Sequence, residues 1–391
     1  MIKYLKIKYV SFFLLALFIL SIGVPWLCFG VILFSLVYWG MMYLIAFIKI
    51  SFLQKFIKGL FLFLFIASIA ISIKLFVCDI YKIPSSSMEN TLFPNDIIIV
   101  DKLKYGPRLP RSPFDIPWVN IAFYFNKEAR DSIKVNWWDY KRLSGASKIK
   151  NGDVFVYENF SKNVFFVKRV VGISGDTLDI KEGYVYINRV KQEFVGTIRN
   201  RYHFKVIDKG AFYNKIDSLG INETISTDIN ASNFMQAELT NVELKKMEQL
   251  KCIDSLGLNL AKFNEKEELF AKPEGKHWTI DDLGTLIIPK KGMEVILNEE
   301  NYAIYKTIIN LYEGVDIEKY ESLFLINGKP VLSYVFKHDY FFMMGDNRKG
   351  SFDSRFFGFL PKEKIVGKVE YVLLSNYQDE FRWDRFLKKI K

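Results

Sequence analysis

The sequence predicts a membrane-anchored, mainly-β protein. N-terminal transmembrane helices lead into a larger β-rich outer domain that carries an α-containing insertion. Three observations predict this. Residues 10–48 are uncharged throughout, about twice the roughly 20 residues that cross a bilayer once. Short runs of β-branched and aromatic residues, bounded by turn signals, recur between Asp96 and Leu374. Between these runs, residues 199–275 turn polar and rich in Asn and Lys, with apolar residues at helical spacing after Thr240.

The membrane part comes first. Gly23-Val-Pro25 interrupts the long apolar run near its middle, where a reversal divides it into two spans. A third run extends from Gly59 to about Cys78, with Lys74 near its far end, within snorkelling distance of headgroups. Lys3, Lys6 and Lys8 precede the first span, and Lys49, Lys55 and Lys58 separate the second from the third. Both groups belong on the cytoplasmic side, so residues 1–82 are expected to form about three spans with everything after residue 82 outside. A cleaved leader ending at Ser21-Ile-Gly23 is the competing expectation, opposed by the apolar continuation. No further long apolar run follows, so the segment reads as an anchor in membrane lipid rather than a transporter.

Charge excludes one class of partner. Of the net +11, residues 1–82 contribute eight Lys against one acid, while the remaining chain holds 46 basic and 42 acidic residues. The excess flanks the membrane segments; a nucleic-acid binder concentrates it in the soluble part. Cys28, Cys78 and Cys252 suggest neither a disulfide framework nor a metal site, and His203, His277 and His338 lack ligand spacing. No metal or cofactor is expected.

Within the outer part, residues 83–198 are expected to form the first part of a β-domain. Strands are predicted at residues 96–100, 154–157 and 164–171, and a hairpin at residues 177–187. Residues 101–150 read as a loop-rich extension. In residues 199–275, Thr240-Asn-Val-Glu243 fits a capping box before Val242, Leu244, Met247, Leu250 and Ile253, predicting one amphipathic helix. Residues 276–375 complete the β-domain with strands at 284–288, 340–344 and 366–374, a helix near 302–309 and a hairpin turning at Asn327-Gly328. Residues 376–391 alternate basic and apolar residues, suiting either a membrane surface or a solvated end.

Three motifs carry chemistry. Ser85-Ser-Ser-Met-Glu-Asn-Thr-Leu92 follows the last apolar run; Lys168-Arg-Val-Val-Gly172 lies on a predicted strand; Gly345 to Arg355 reads Gly-Asp-Asn-Arg-Lys-Gly-Ser-Phe-Asp-Ser-Arg. Alternation puts Lys168 with Val164, Phe166 and Val170, and Arg169 with Phe165, Val167 and Val171, so both faces are apolar. Burial lowers a lysine pKa, by as much as ~3–5 units in the deepest sites, which lets it accept a proton. A lysine at the sheet rim with its head in water is the alternative that the strand alone leaves open.

Together these motifs resemble type I signal peptidases, membrane-anchored Ser/Lys proteases that remove signal peptides from exported proteins. The resemblance covers the third span, residues 83–190 and residues 337–375. It implies a signal-peptidase-type β-fold, signal-peptide-bearing preproteins as substrates, and small side chains before the cut. It further implies Ser87 as nucleophile, Lys168 as general base, and Ser85 with the Ser87 N–H as oxyanion hole. Ser351 is implied to position the lysine amine, and Asp346, Arg348, Asp353 and Arg355 to brace the third motif. The requirement is physical: serine needs an adjacent base, and lysine serves only when neutral. Three positions depart from the family pattern: Ser86 where Gly is common, Asn90 where Pro is common, and Gly350 where Asn is frequent. Five residues from Lys82 to Ser87 span at most roughly 17 Å, so the nucleophile stays near the outer membrane face, where a signal peptide presents its cleavage site. Secretion machinery is a possible further partner. A self-cleaving Ser/Lys protease and an inactive membrane-anchored binding module of the same fold are the alternatives.

Overall fold

The computed structural model describes residues 20–118, 121, 137–159, 164–193, 196–219, 221, 225–227, 233–378 and 380–390. Among these, the helices Pro25–Ala46 and Ser51–Val77 are long and apolar enough to cross a membrane. Gly23, at φ 82°, turns the chain where a side chain would be strained, and Pro25 opens the helix where no N–H is needed. Most of the expected first span lies outside the described residues. The later span starts at Ser51 rather than Gly59, taking Lys55 and Lys58 into its first turns. Helical hydrogen bonding does not stop at a charge; the lysines mark the edge of the apolar stretch, not of the helix.

The two helices run antiparallel, pairing Trp26 with Phe76, Phe34 with Phe65 and Tyr38 with Phe61. Their Gly23 end abuts the β region: Val24 packs near Ala146, and Trp26 Nε1 donates to the Ser144 carbonyl at 2.8 Å. The second helix passes through a π turn, Ile73–Val77, directly into the strand Cys78–Lys82. Lys102 clamps this joint. Its N–H donates to the Val77 carbonyl, and its ammonium donates to the Lys74 carbonyl (2.6 Å) and Asp79 (3.2 Å).

The main sheet is antiparallel. Its order is Cys78–Lys82, Ile97–Asp101, Ile365–Leu374, Val154–Glu158, Phe165–Gly172, Tyr340–Met344 and Leu360–Pro361. Phe165–Gly172 is therefore flanked on both sides, with Phe155 opposite Lys168 and both Val154 and Met344 opposite Arg169. Phe165 and Val167 pack into one core with Met88, Leu92 and Val156; Phe166 and Val170 pack into another with Phe155, Tyr157 and Met343. Both faces are covered, as the alternation requires. The hairpin Thr177–Lys181 and Tyr184–Ile187 forms as expected, as do the helix Glu299–Tyr312 and the left-handed Asn327-Gly328 turn.

Residues 199–275 differ from expectation. The Thr240–Glu243 capping box is present, but its helix, Asn241–Met247, is short, and Ile253 begins a strand. The region is instead built on an antiparallel sheet ordered Ile253–Leu258, Arg199–Val206, Phe234–Thr240 and Ser226–Thr227, with its own core around Phe204, Phe212, Met235 and Met247. Along Arg199–Val206, buried Tyr202, Phe204 and Val206 alternate with exposed Arg201 and His203. That one-sided pattern keeps the composition polar and obscures the strand.

The tail is not a frayed end. Lys388–Lys389 pairs with Tyr371 and Val372, and Arg385 and Ile390 are buried. The outward residues Phe381, Trp383, Phe386 and Leu387 remain exposed.

Candidate active site

Ser87 sits in an irregular segment between two neighbouring strands, closed at its base by Ile83 N–H to the Asp96 carbonyl (2.8 Å) and Asn95 N–H to the Ile83 carbonyl (2.8 Å). Buried Met88 and Leu92 anchor it from within, and Leu92 N–H donates to the Met88 carbonyl at 2.7 Å. Ser87 is thereby held over the strand that carries Lys168. Lys168 Nζ donates to Ser87 Oγ at 2.6 Å, with the lysine 3% exposed.

Burial pulls the Lys168 pKa down to about 8; Asp353 opposes this, Arg355 adds to it, and Asp346 again opposes. The rim-lysine alternative therefore fails, because the neighbouring strands cover the side chain before its head can reach water.

The three serines divide by position. Ser85 Oγ lies 3.4 Å from Ser87 Oγ, on the same side of the chain. Ser86 is exposed, and its carbonyl accepts from Asn347 Nδ2 (3.3 Å) and Glu89 N–H (3.0 Å). Ser351 is buried with its hydroxyl unpartnered among the described residues, so no hydrogen bond links it to Lys168. It is nevertheless close to the Ser87 segment, since a Cβ on Gly345 would overlap both Ser351 Oγ and the Ser87 carbonyl.

The third motif forms a buried bracket. Asp353 accepts from Gly345 N–H (3.0 Å) and is gripped by Arg355 at 2.8 and 2.9 Å. Burial alone would raise its pKa, but Arg355 and the Gly345 N–H outweigh it and hold the carboxyl low. Arg355 is pushed up by Asp353 against the opposing effect of burial, and it donates to the Arg348 carbonyl at 2.6 Å. Burial lowers Arg348 to about 10, with Arg355 adding to the effect. Asp346 takes two hydrogen bonds from Arg169, at 2.8 and 2.7 Å, and one from Thr91.

Several contributors were not singled out from sequence. Arg169, which alternation places on an apolar face, needs a partner once buried, and Asp346 supplies it. Asn347 N–H donates to the Ser87 carbonyl at 3.1 Å. Arg199, at the start of the second sheet, exchanges backbone bonds with Asp346 and Arg348 and pairs with Glu89 at 3.1 Å. No local signal marked Arg199, since its partners are far away in sequence. Asn90 has φ 72°, a conformation closed to proline, which accounts for its departure from the pattern.

A model of the family "Signal peptidase, peptidase S26" matches residues 53–229 and 286–374, more than half of the chain. Signal peptidase I of Buchnera aphidicola subsp. Baizongia pistaciae is 24% identical over 80% of this chain and 74% of its own length. That of Buchnera aphidicola subsp. Schizaphis graminum is 25% identical over 80% and 72%. A crystal structure of a signal peptidase I from Enterococcus faecalis matches 57% of this chain and 97% of its own, at 15% identity and a TM-score of 0.21, too low to bear on the fold. With a mainly-β body, two apolar N-terminal helices and this extent of match, the chain belongs to the signal peptidase family, peptidase S26, and is a serine peptidase.

Proposed function

We propose that the protein cleaves signal peptides from exported preproteins at the outer face of the cytoplasmic membrane, using Ser87 and Lys168 as a catalytic dyad. The observation that carries this reading is the 2.6 Å contact between the buried Lys168, through its Nζ, and the half-buried Ser87 Oγ. Neutral Lys168 takes the Ser87 proton as Oγ attacks the scissile carbonyl carbon. The tetrahedral oxyanion is held by the Ser87 N–H, which donates to no described residue, together with the Ser85 hydroxyl. Collapse breaks the C–N bond, Lys168 returns its proton to the leaving amine, and an acyl-enzyme remains. Lys168 then deprotonates a water that attacks this ester, releasing the signal peptide and restoring Ser87.

The Ser351 hydroxyl, buried beside the Ser87 segment with no hydrogen-bond partner among the described residues, is the group assigned to orient the lysine amine. Asp346, Arg348, Asp353 and Arg355 brace the bracket. Membrane placement is supported by the helix pair: its Gly23 end meets the β region, while Lys49, Lys55 and Lys58 gather around the opposite turn. That polarity fits lysines inside and the β-domain outside. Residues 199–275 are read as an insertion whose first strand buttresses the third motif.

Purified full-length protein in detergent, incubated with a signal-peptide-bearing preprotein, should yield the mature chain, and Ser87→Ala and Lys168→Ala should not. Processing by either folded variant would overturn the dyad.

A further inference from the structure

We infer that Arg385, in the C-terminal segment, is a positioning residue for the reaction: it locks the turn that carries Ser87. The inference rests on Ser87 being the nucleophile. That segment has no regular secondary structure and needs anchors from elsewhere. Arg385 Nη2 donates to the Asp96 carboxylate at 2.5 Å and to the Thr91 carbonyl at 3.0 Å, and its guanidinium centre lies 4.5 Å from the Phe93 ring centroid. Arg385 is 2% exposed and Asp96 fully buried.

One side chain thus ties the base of the loop to its middle. Asp96 also accepts from Phe93 N–H at 2.9 Å, closing the loop's last turn. Thr91 N–H donates to the Met88 carbonyl at 3.1 Å, joining the Arg385 anchor to the residue after Ser87, while its hydroxyl reaches Asp346. The rest of the tail acts in the same direction. Tyr377 donates to Glu89 at 2.8 Å, its ring lies 4.5 Å from that of Phe93, and Ile390 packs in the core that holds Met88 and Leu92. Such a small displacement as 1 Å at a nucleophile can cost on the order of a hundredfold in rate, so the anchor matters to catalysis and not only to folding. Arginine suits this position because one nitrogen, Nη2, reaches both acceptors while the flat guanidinium lies over the Phe93 ring, a combination that a compact lysine ammonium on a different stem reproduces less well.

The test compares Arg385→Lys and Arg385→Ala with the parent, as full-length protein in detergent micelles, measuring kcat and KM for preprotein cleavage and thermal unfolding of the same samples. Arg385→Lys should fold and lose about three- to tenfold in kcat, with KM changed less than about twofold. Folded Arg385→Ala should lose more than tenfold in kcat, so that lysine counts as partial rescue. Unchanged kcat in Arg385→Lys, or a loss confined to KM, would overturn the inference even if the alanine variant failed to fold. Ser87→Ala in parallel separates the two ideas. If it still cleaves, the nucleophile is wrong; if it is dead while both Arg385 variants match the parent, only the positioning role fails.

Discussion

Lys168 Nζ and Ser87 Oγ lie 2.6 Å apart although the two residues are 81 positions apart in the chain. Each arrives by a different route. Lys168 is fixed by its register opposite Phe155 in the middle of a sheet, whereas Ser87 hangs in a loop between two strands of the same sheet. Loop and strand are joined by the Arg169–Asp346–Thr91 bonds, so the residue after Lys168 helps hold the segment after Ser87.

The pH profile follows from the lysine. With its pKa pulled down to about 8 by burial, the neutral, proton-accepting fraction grows as pH rises. Single-turnover cleavage should therefore increase through an apparent pKa near 8 and fall about tenfold per pH unit below it. A rate constant down to pH 5 would exclude Lys168 as the base.

The same burial weighs on stability. The folded pKa lies below that of a free lysine, so the folded state holds fewer protons between about 8 and 10.4, and stability rises with pH across that window. Below about 8 the full cost of burying the ammonium applies, of order 3 kcal/mol. Lys168→Met should accordingly be inactive yet unfold at a higher temperature at pH 7, with the gain shrinking toward pH 10. An unfolding temperature equal to or below that of the parent at pH 7 would contradict this.

The serine triplet allows a graded comparison. Ser87→Ala should abolish processing. Ser85→Ala should lower kcat, by up to about a hundredfold if its hydroxyl holds the oxyanion. Ser86 faces solvent and contributes its carbonyl rather than its side chain, so Ser86→Ala should retain most activity. Equal losses in all three would reject the division of roles.

Asn90 offers a test of backbone geometry. At φ 72° it cannot be replaced by proline, whose ring holds φ near −65°, without rebuilding the turn after Ser87. Asn90→Pro, which restores the residue common in the family, should lower the unfolding temperature and reduce kcat, while Asn90→Gly should keep both near the parent. A fully active, equally stable proline variant would show that the turn readily adopts another conformation.

Much of the fold was legible locally. Strand alternation located Phe165–Gly172 and its two apolar faces, Gly23-Val-Pro25 marked the helix break, and Asn327-Gly328 marked a hairpin. These signals are carried by neighbouring residues, so the sequence displays them directly. Reading residues 242–253 as one helix failed because apolar spacing there spans a short helix, a turn and the start of a strand.

By itself, then, the sequence determined the apolar helices, the order of the motifs and the residue types a Ser/Lys dyad needs. The tertiary structure alone decided that Lys168 is buried rather than at a rim, because that depends on which strands flank it. It also decided that Arg385 reaches the loop that carries Ser87 and that Arg199 supports the third motif. A buried charge is stable only beside its partner, and those partners, Asp96 for Arg385 and Glu89 for Arg199, are brought together by the fold rather than by proximity along the chain.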